Sequence, residues 1–331
     1  MTESPNAVMR RKLMGFAVTQ AIHAVVEAGV IDRLAIGPTG SAKLADACGV
    51  DADALTRFLR VLAGEGLLTE DAAGDYALTE LGELLRLDVP GSLRHFGSMM
   101  VDESYLTWQA AGHALRTGEP AFDAVFGKPM FDWLAEHPAQ EARFTAAQGG
   151  LAELRATPLL DHDWSDVGTV VDVGGGNGKL LAVLLAHRPE LRGILFDLPH
   201  VVEQAGEVLT EAGVADRCDR VGGDFFATIP AGADAYVLAE ILHDWNDTRA
   251  TELLRRCREA MPPSGRLLIL EQTTSADRPR WAGLLDLHML LMVGGRERDD
   301  ANWRALLGGA GFVVTGLVRG ERSSLIEARP G

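Results

Sequence analysis

The chain has 331 residues, 47% of them hydrophobic, and a formal net charge of −16. That length allows a sizeable core and more than one domain, while so acidic a chain is poorly suited to nucleic acid or an anionic membrane. Cys48, Cys218 and Cys257 stand far apart with no CxxC pair, which argues against a disulfide framework or structural zinc and for a reducing, cytoplasmic compartment.

The N-terminal run RRKLMGFAVTQAIHAVVEAGV begins basic and turns apolar. Gln20, His23 and Glu27 interrupt it, and no small-residue cleavage site follows, so a signal peptide does not fit. Leu13, Phe16, Ala17, Ile22, Val25 and Val26 mark one face of an amphipathic helix that can meet a partner. No stretch approaches the roughly 18 uninterrupted apolar residues of a membrane span. Ser41 is placed to cap SAKLADA and Gly49 to end it; Asp51 is placed to cap the next helix, where Leu55, Phe58, Leu59 and Leu62 recur at helical spacing. GLLTEDAAGDYALT reads as two short strands about a polar turn. Together these elements make a winged-helix unit. Its second helix sets Asp51, Asp53 and Glu65 against Arg57 and Arg60, without the basic surface a DNA reader needs, so packing or dimerisation is the better use for it.

Residues 91–165 are expected to be mainly helical, and the stretch FDAVFGKPMFDWLAEHPAQEARF is rich in Phe and Met. Phe122, Phe126, Met130, Phe131 and Trp133 can wall a flat aromatic pocket, or simply form core at helical spacing. After DHDWSDVG, strand-like and helix-like runs alternate: TVVDV, GKLLAVLLAHR, RGILFD, HVVEQAGEVLTEAG, CDRV, DAYVLA, TELLRRCREAM, GRLLILEQ. Such alternation predicts an α/β domain with a mainly parallel sheet. GFVVTGLV and SSLIEA close the chain as a hairpin around Gly320, so one terminal strand should run antiparallel. The expected domains are residues 1–92, a helical connector over 93–165, and an α/β domain over 166–331.

TVVDVGGGNGKLL is a strand, a glycine loop and a helix start, spelling Gly174-x-Gly176-x-Gly178. Glycines there permit a tight turn and close backbone approach to a ligand. A dinucleotide fingerprint needs a glycine where Lys179 stands, so GxGxG fits better than GxGxxG. Asp197 closes the second strand, where a carboxylate can accept from both hydroxyls of a ribose or cap the following helix. Asp224 and Phe225 follow the third strand and can hold a purine, or act as a cap beside a core Phe. The order of the three, each at the C-terminal end of a successive strand, favours an adenosine-bearing cofactor. ILHDWND then places His243, Asp244 and Trp245 at the mouth of the strand AYVLA. Alone it reads as a turn leading into a helix; beside a cofactor loop it reads as a reaction centre. No His-x3-His or Cys pair supports a metal there.

VVDVGGGNG, FDLPHVV, GGDFF, LHDWND and GGRER, in this order and spacing, resemble the S-adenosylmethionine-dependent small-molecule O-methyltransferases, above all the bacterial enzymes acting on aromatic natural products and their plant caffeate and flavonoid counterparts. The resemblance covers nearly the whole chain. It implies a class I, Rossmann-like methyltransferase domain and a winged-helix domain that forms a homodimer. It implies that Gly174 and Gly176 lie along the cofactor's methionine part, Asp197 and Leu198 at its ribose, and Asp224 and Phe225 at its adenine, with Trp245 on the cofactor side. His243 is implied as the general base, flanked by Asp244 and bracketed by Glu271 and Glu297. Met289, with Met292 more loosely, is implied at the aromatic substrate; from the Phe- and Met-rich segment, Phe126 and Met130 are expected to join them by composition and not by the resemblance. Ala239 stands where the plant pattern often has lysine, and the stretch from Asp286 to Glu297 is one residue shorter than the plant pattern.

A phenol has a pKa of about 10 and is a poor nucleophile until it loses its proton. A histidine of ordinary pKa, about 6.5, is expected to be mostly neutral near pH 7 and able to take that proton. Two rivals remain at this level: a family member with other chemistry on the same cofactor, such as N-methylation, decarboxylation or hydroxylation, and a non-enzymatic winged-helix regulator.

Overall fold

The computed structural model describes residues 4–273, 279–320 and 323–331. It divides into two compact units, Met1–Leu106 with Ala139–Leu151, and Thr107–Pro138 with Ala152–Gly331. The stretch read as a connector, 93–165, therefore contributes to both. No helix among the described residues is long and apolar enough to cross a membrane.

In the first unit the N-terminal run is not one helix. Pro5–Leu13 and Gly15–Glu27 are separate helices that break at Met14, beside a glycine, which gives a helix little backbone preference. Ala21, Val25 and Val26 are buried, whereas Leu13 and Phe16 are exposed. Ser41 is not a cap: the helix Ser41–Cys48 starts on it, and Gly40 holds the cap position without a side-chain bond. Asp51 does cap the helix Ala52–Gly64, accepting from the Ala54 N–H at 2.8 Å. That helix buries Leu55, Leu59 and Leu62 and leaves Phe58 exposed, so the apolar face is narrower than the periodicity predicts. β1 (Thr39–Gly40), β2 (Leu68–Glu70) and β3 (Asp75–Leu78) form a small antiparallel sheet in the order β1-β3-β2. Asp71 Oδ1 shapes the hairpin turn by accepting from the N–H groups of Ala73 and Asp75.

The second unit is built on a seven-stranded sheet: β4 (Thr169–Val173), β5 (Arg192–Asp197), β6 (Cys218–Gly222), β7 (Ala235–Ala239), β8 (Arg266–Glu271), β9 (Phe312–Val318) and β10 (Ser324–Pro330), ordered β6-β5-β4-β7-β8-β10-β9. β6, β5, β4, β7 and β8 run parallel, and β10 lies antiparallel between β8 and β9. The strands read as continuous apolar runs because both faces are covered. One face packs on the helices Ala152–Leu160 and Lys179–His187 through Leu159, Leu181, Leu184 and Leu185; the other packs on Asp247–Ala260 and Asp300–Gly309 through Leu253, Leu254, Trp303 and Leu307. Strand order reverses on either side of β4, and at such a switch point the loops after β4 and β7 diverge and leave a crevice.

Candidate active site

The crevice has a rim made by three strand ends. Gly174 and Gly176 take φ values of 72° and 58°. The Gly174 N–H donates to the Phe196 carbonyl at 2.8 Å, and the Gly176 N–H donates to Asp197 Oδ2 at 2.8 Å. The Leu198 N–H donates to Asp197 Oδ1 at 2.7 Å, and the Gly223 N–H donates to the Asp197 carbonyl at 2.9 Å. A Cβ on Gly174 would lie 2.6 Å from Ile241 Cδ1 and one on Gly175 2.7 Å from Asp172 Cγ, whereas one on Gly176 would meet nothing within 4 Å. The loop is thus tight on its inner side and open above Gly176. Asp224, exposed, accepts from the Phe226 N–H at 2.8 Å. Phe225 stands edge-on to Phe226 and Trp245, and the Arg249 guanidinium lies 3.5 Å over the Phe226 ring.

Under the loop lies a charged group that sequence reasoning did not single out. Asp172 is 1% exposed, and among the described residues neither of its carboxylate oxygens has a hydrogen-bond partner. Burial, with the Asp197 charge adding and Arg155 opposing, raises its pKa to about 7. Arg155 and Glu240 form a buried ion pair at 2.5 Å. Glu240 holds φ at 54°, a left-handed conformation costly for a residue with a side chain. Nothing local in the sequence marks a charge for burial, so this group was not legible there.

The second half of the site follows β7. Leu242–Asp244 form one 3₁₀ turn. Glu271, fully buried at the end of β8, accepts through Oε1 from the Leu242 N–H at 2.9 Å and the His243 N–H at 3.2 Å. Glu297 Oε1 meets His243 Nδ1 at 2.8 Å, while Glu271 Oε2 is 3.5 Å from Nδ1 and Asp244 Oδ1 is 3.5 Å from Nε2. The two glutamates therefore divide the work, Glu271 holding the backbone turn and Glu297 the ring. Burial disfavours the charged imidazole, but Glu271, Asp244 and Glu297 outweigh it and hold the His243 pKa well above its ordinary value. The expectation of a mostly neutral ring near pH 7 is corrected accordingly: three carboxylates around one imidazole stabilise its proton. Burial likewise raises Asp244, to about 6, and raises Glu271, each against the opposing pull of His243.

The segment Gly294–Arg298 clamps this turn. A Cβ on Gly295 would lie 2.0 Å from the His243 carbonyl oxygen, so the close approach requires glycine. The Arg296 N–H donates to that carbonyl at 2.8 Å. Arg298, 1% exposed, donates to the Leu242 and Trp245 carbonyls at 2.8 Å each and to Asp247 Oδ1 at 2.9 Å. Asp286 Oδ1 accepts from the Glu297 N–H at 2.9 Å. Gly295, Arg298 and Asp286 were not assigned these tasks from sequence, although the second arginine of GGRER was a visible signal for one of them.

His243, Glu271 and Glu297 present ligand atoms within 4.8 Å of one another, close enough for a cation. Of their carboxylate oxygens, Glu271 Oε1 is taken by two N–H groups and Glu297 Oε1 by the ring nitrogen, while Glu271 Oε2 and Glu297 Oε2 have no hydrogen-bond partner among the described residues. Met289 and Met292 are buried on the helix Pro279–Val293, where the Met289 carbonyl accepts from the Gly295 N–H at 3.2 Å. Met130 is also buried, and Phe126 stacks on Phe122 and leans on Trp133. The aromatic of this segment that reaches Trp245 is Phe131, with ring centroids 6.2 Å apart.

A family model described as an O-methyltransferase domain matches residues 108–313, and one described as an O-methyltransferase dimerisation domain matches residues 11–87. The chain is 40% identical to a phenazine O-methyltransferase of Lysobacter antibioticus, over 98% of this chain and 96% of that one. It is 35% identical, over 99% and 97%, to an 8-amino-8-demethylriboflavin N,N-dimethyltransferase of Streptomyces davaonensis. Among solved structures, an O-methyltransferase from neocarzinostatin biosynthesis, in complex with S-adenosylmethionine and 2-hydroxy-5-methyl naphthoic acid, is 35% identical and superposes with a TM-score of 0.81 over 95% of this chain and 96% of that one.

Proposed function

This chain belongs to the O-methyltransferase family, whose cofactor is S-adenosylmethionine, and from that premise we propose that it methylates a phenolic hydroxyl of an aromatic small molecule, a natural-product intermediate of polyketide type, with His243 as general base. The residues fit the cofactor. Asp197 closes β5 with Oδ2 accepting the Gly176 N–H and Oδ1 the Leu198 N–H, which sets its carboxylate beside the glycine loop, where a pair of ribose hydroxyls would lie. The open side of Gly176 admits close backbone contact. Asp172, without a hydrogen-bond partner among the described residues, suits an ammonium group. Leu198, Asp224, Phe225 and Trp245 would hold the nucleoside, and Gly174 the methionine part. When bound, the cofactor supplies a methyl group already activated on a sulfonium sulfur, so the protein's task is position and proton management.

The observation that carries the reading is the short contact between His243 Nδ1 and Glu297 at the end of β7. It commits Nδ1 to the carboxylate and leaves Nε2 as the nitrogen that takes the phenol proton. The raised pKa narrows the gap to the phenol, and each unit of gap removed is about 1.36 kcal/mol of proton transfer. In return, the base must be deprotonated before it acts, so turnover should climb with pH beyond the ordinary histidine range. Glu271 and Arg298 hold the turn that aims the ring, and Phe126, Met130, Met289 and Met292 supply apolar, thioether-rich surface suited to a planar acceptor. The match of residues 11–87 to a dimerisation domain supports a homodimer.

The test is to incubate the purified protein with methyl-labelled S-adenosylmethionine and a panel of phenols, catechols, aromatic hydroxy-acids and amines. Label on a phenolic oxygen is the expected result. Label on nitrogen alone, as the riboflavin-type relative would suggest, would replace the phenol by an amine and remove the need for His243 as a base.

A further inference from the structure

His288 lies on the Pro279–Val293 helix, two residues after Asp286 and one before Met289. The Trp108 indole Nε1–H donates to its Nδ1 at 3.1 Å, and the two rings are near-parallel, 12° apart. An indole nitrogen is a donor only, so Nδ1 must be the acceptor. That bond therefore fixes one species, a neutral imidazole with its proton on Nε2. The surroundings agree: burial, helped by the charge on His243, lowers the His288 pKa to about 4. Nε2–H donates to no group among the described residues, and it is not among the sealed polar atoms. A half-buried N–H donor without a partner is costly unless a ligand or water takes it. Its neighbours on the helix, Met289 and Met292, are apolar, and the nearby proton site carries three carboxylates, Asp244, Glu271 and Glu297. That cluster disfavours a second anion and favours a neutral oxygen as the missing acceptor.

We propose that His288 is a specificity-determining residue whose Nε2–H donates to a carbonyl oxygen carried on the acceptor's ring system beside the hydroxyl to be methylated, with Trp108 as the positioning residue that locks its tautomer. The assignment rests on the acceptor phenol reading above. It places the enzyme's substrates among hydroxylated aryl ketones and quinones, ahead of phenols that lack an adjacent carbonyl. A site built around a donor discriminates against an analogue that leaves the donor unpaired.

The test separates this claim from that reading by measuring binding apart from methyl transfer. The protein loaded with S-adenosylhomocysteine is titrated calorimetrically with 1-hydroxyfluorenone and with 1-hydroxyfluorene, which differ by the carbonyl oxygen. The wild type should prefer the ketone by roughly tenfold. His288→Leu should bring the ratio close to one, and His288→Gln, which keeps an N–H donor, should restore part of it. Nitrogen NMR of labelled histidine should show the Nε2–H tautomer, unchanged across neutral pH, and Trp108→Phe should release it. An equal preference in wild type and His288→Leu, or an Nδ1–H tautomer in the wild type, would overturn the proposal. The melting temperature of each variant identifies a misfolded one, and the NMR measurement on wild type decides the matter in that case. Failure to methylate a ketone that binds through His288 would instead overturn the O-methylation reading.

Discussion

His243 is held from three sides, and the ring and its shortest contact make separate predictions. Removing the ring as His243→Ala should lower methyl transfer about 100- to 10,000-fold, the range for loss of a positioned base, while calorimetry shows cofactor binding retained; near-wild-type turnover would take His243 out of the mechanism. Glu297→Gln keeps the shape but removes the charge at 2.8 Å from Nδ1. One of the groups raising the imidazole pKa is then lost, so the rising limb of kcat against pH should move to lower pH and the plateau should fall. A limb that stays in place would show that Glu297 does not act through the ring. The same shifts bear on stability. His243, Glu271, Asp244 and Asp172 all have pKa values raised by the fold. Groups raised in this way favour the native state while protonated, and that contribution is lost as pH rises through the folded value. Asp172 gives the cleanest case, moving from 3.8 to about 7. Asp172→Asn should therefore stabilise the cofactor-free protein by about 1–3 kcal/mol at pH 8 and give no such gain near pH 4, as read from urea melts at the two pH values.

Between elements, the site depends on the clamp that Gly294–Arg298 places on the turn after β7. The Cβ of Gly295→Ala would meet backbone atoms of His243 and Asp244 at 2.0 and 2.6 Å, and backbone cannot yield as a side chain can. The turn must then move by about an ångström, which can cost on the order of 100-fold in a positioned reaction. The expected outcome is a folded protein with a lowered melting temperature and kcat reduced by at least that factor; unchanged kcat would mean the clamp does not aim the ring. This level also shows what sequence could and could not disclose. The placement of the glycine loop, Asp197 and the GGDFF acid at strand ends was legible because each is local, and the chain order of strands and helices was enough for a parallel sheet. One strand of the closing hairpin was foreseen as antiparallel, but that this strand is β10, inserted between β8 and β9, needed long-range pairing. His243 and Glu297 lie 54 residues apart, and only the family resemblance brought them together. Which glutamate holds the ring depended on the ends of β8 and of the 294–298 segment, which no periodicity reports. Ser41 has the chemistry of a cap but was displaced by the chain entering through Gly40, and Phe58 has helical spacing but faces outward. The Arg155–Glu240 pair ran against the general rule that charges stay in water, so composition argued away from it.

For the molecule as a whole, the N-terminal helices leave apolar side chains in water that a second copy would cover. Met9, Leu13, Met14 and Phe16 are 56%, 68%, 57% and 54% exposed, an apolar run carried on two consecutive short helices. Single exposed apolar residues need no explanation, but a contiguous group of this kind marks a surface built for a partner. The charge of the chain sharpens the point. At −16 overall, two copies repel at long range, so a stable dimer has to be held by apolar area at roughly 25 cal/mol per Å² of buried surface. Residues 11–87 match a dimerisation domain, and Leu13, Met14 and Phe16 fall inside it. Leu13→Asp with Phe16→Glu should therefore convert a dimer into a monomer in sedimentation velocity. These positions are exposed in the single chain, so the loss should come without collapse of the winged-helix core formed by Val25, Val30, Leu59 and Leu62. Raising salt should tighten the wild-type dimer by screening like charges, and it should not rescue the double variant, whose defect is the loss of apolar contact. A wild type that sediments as a monomer at micromolar concentration would assign this apolar run to a different partner.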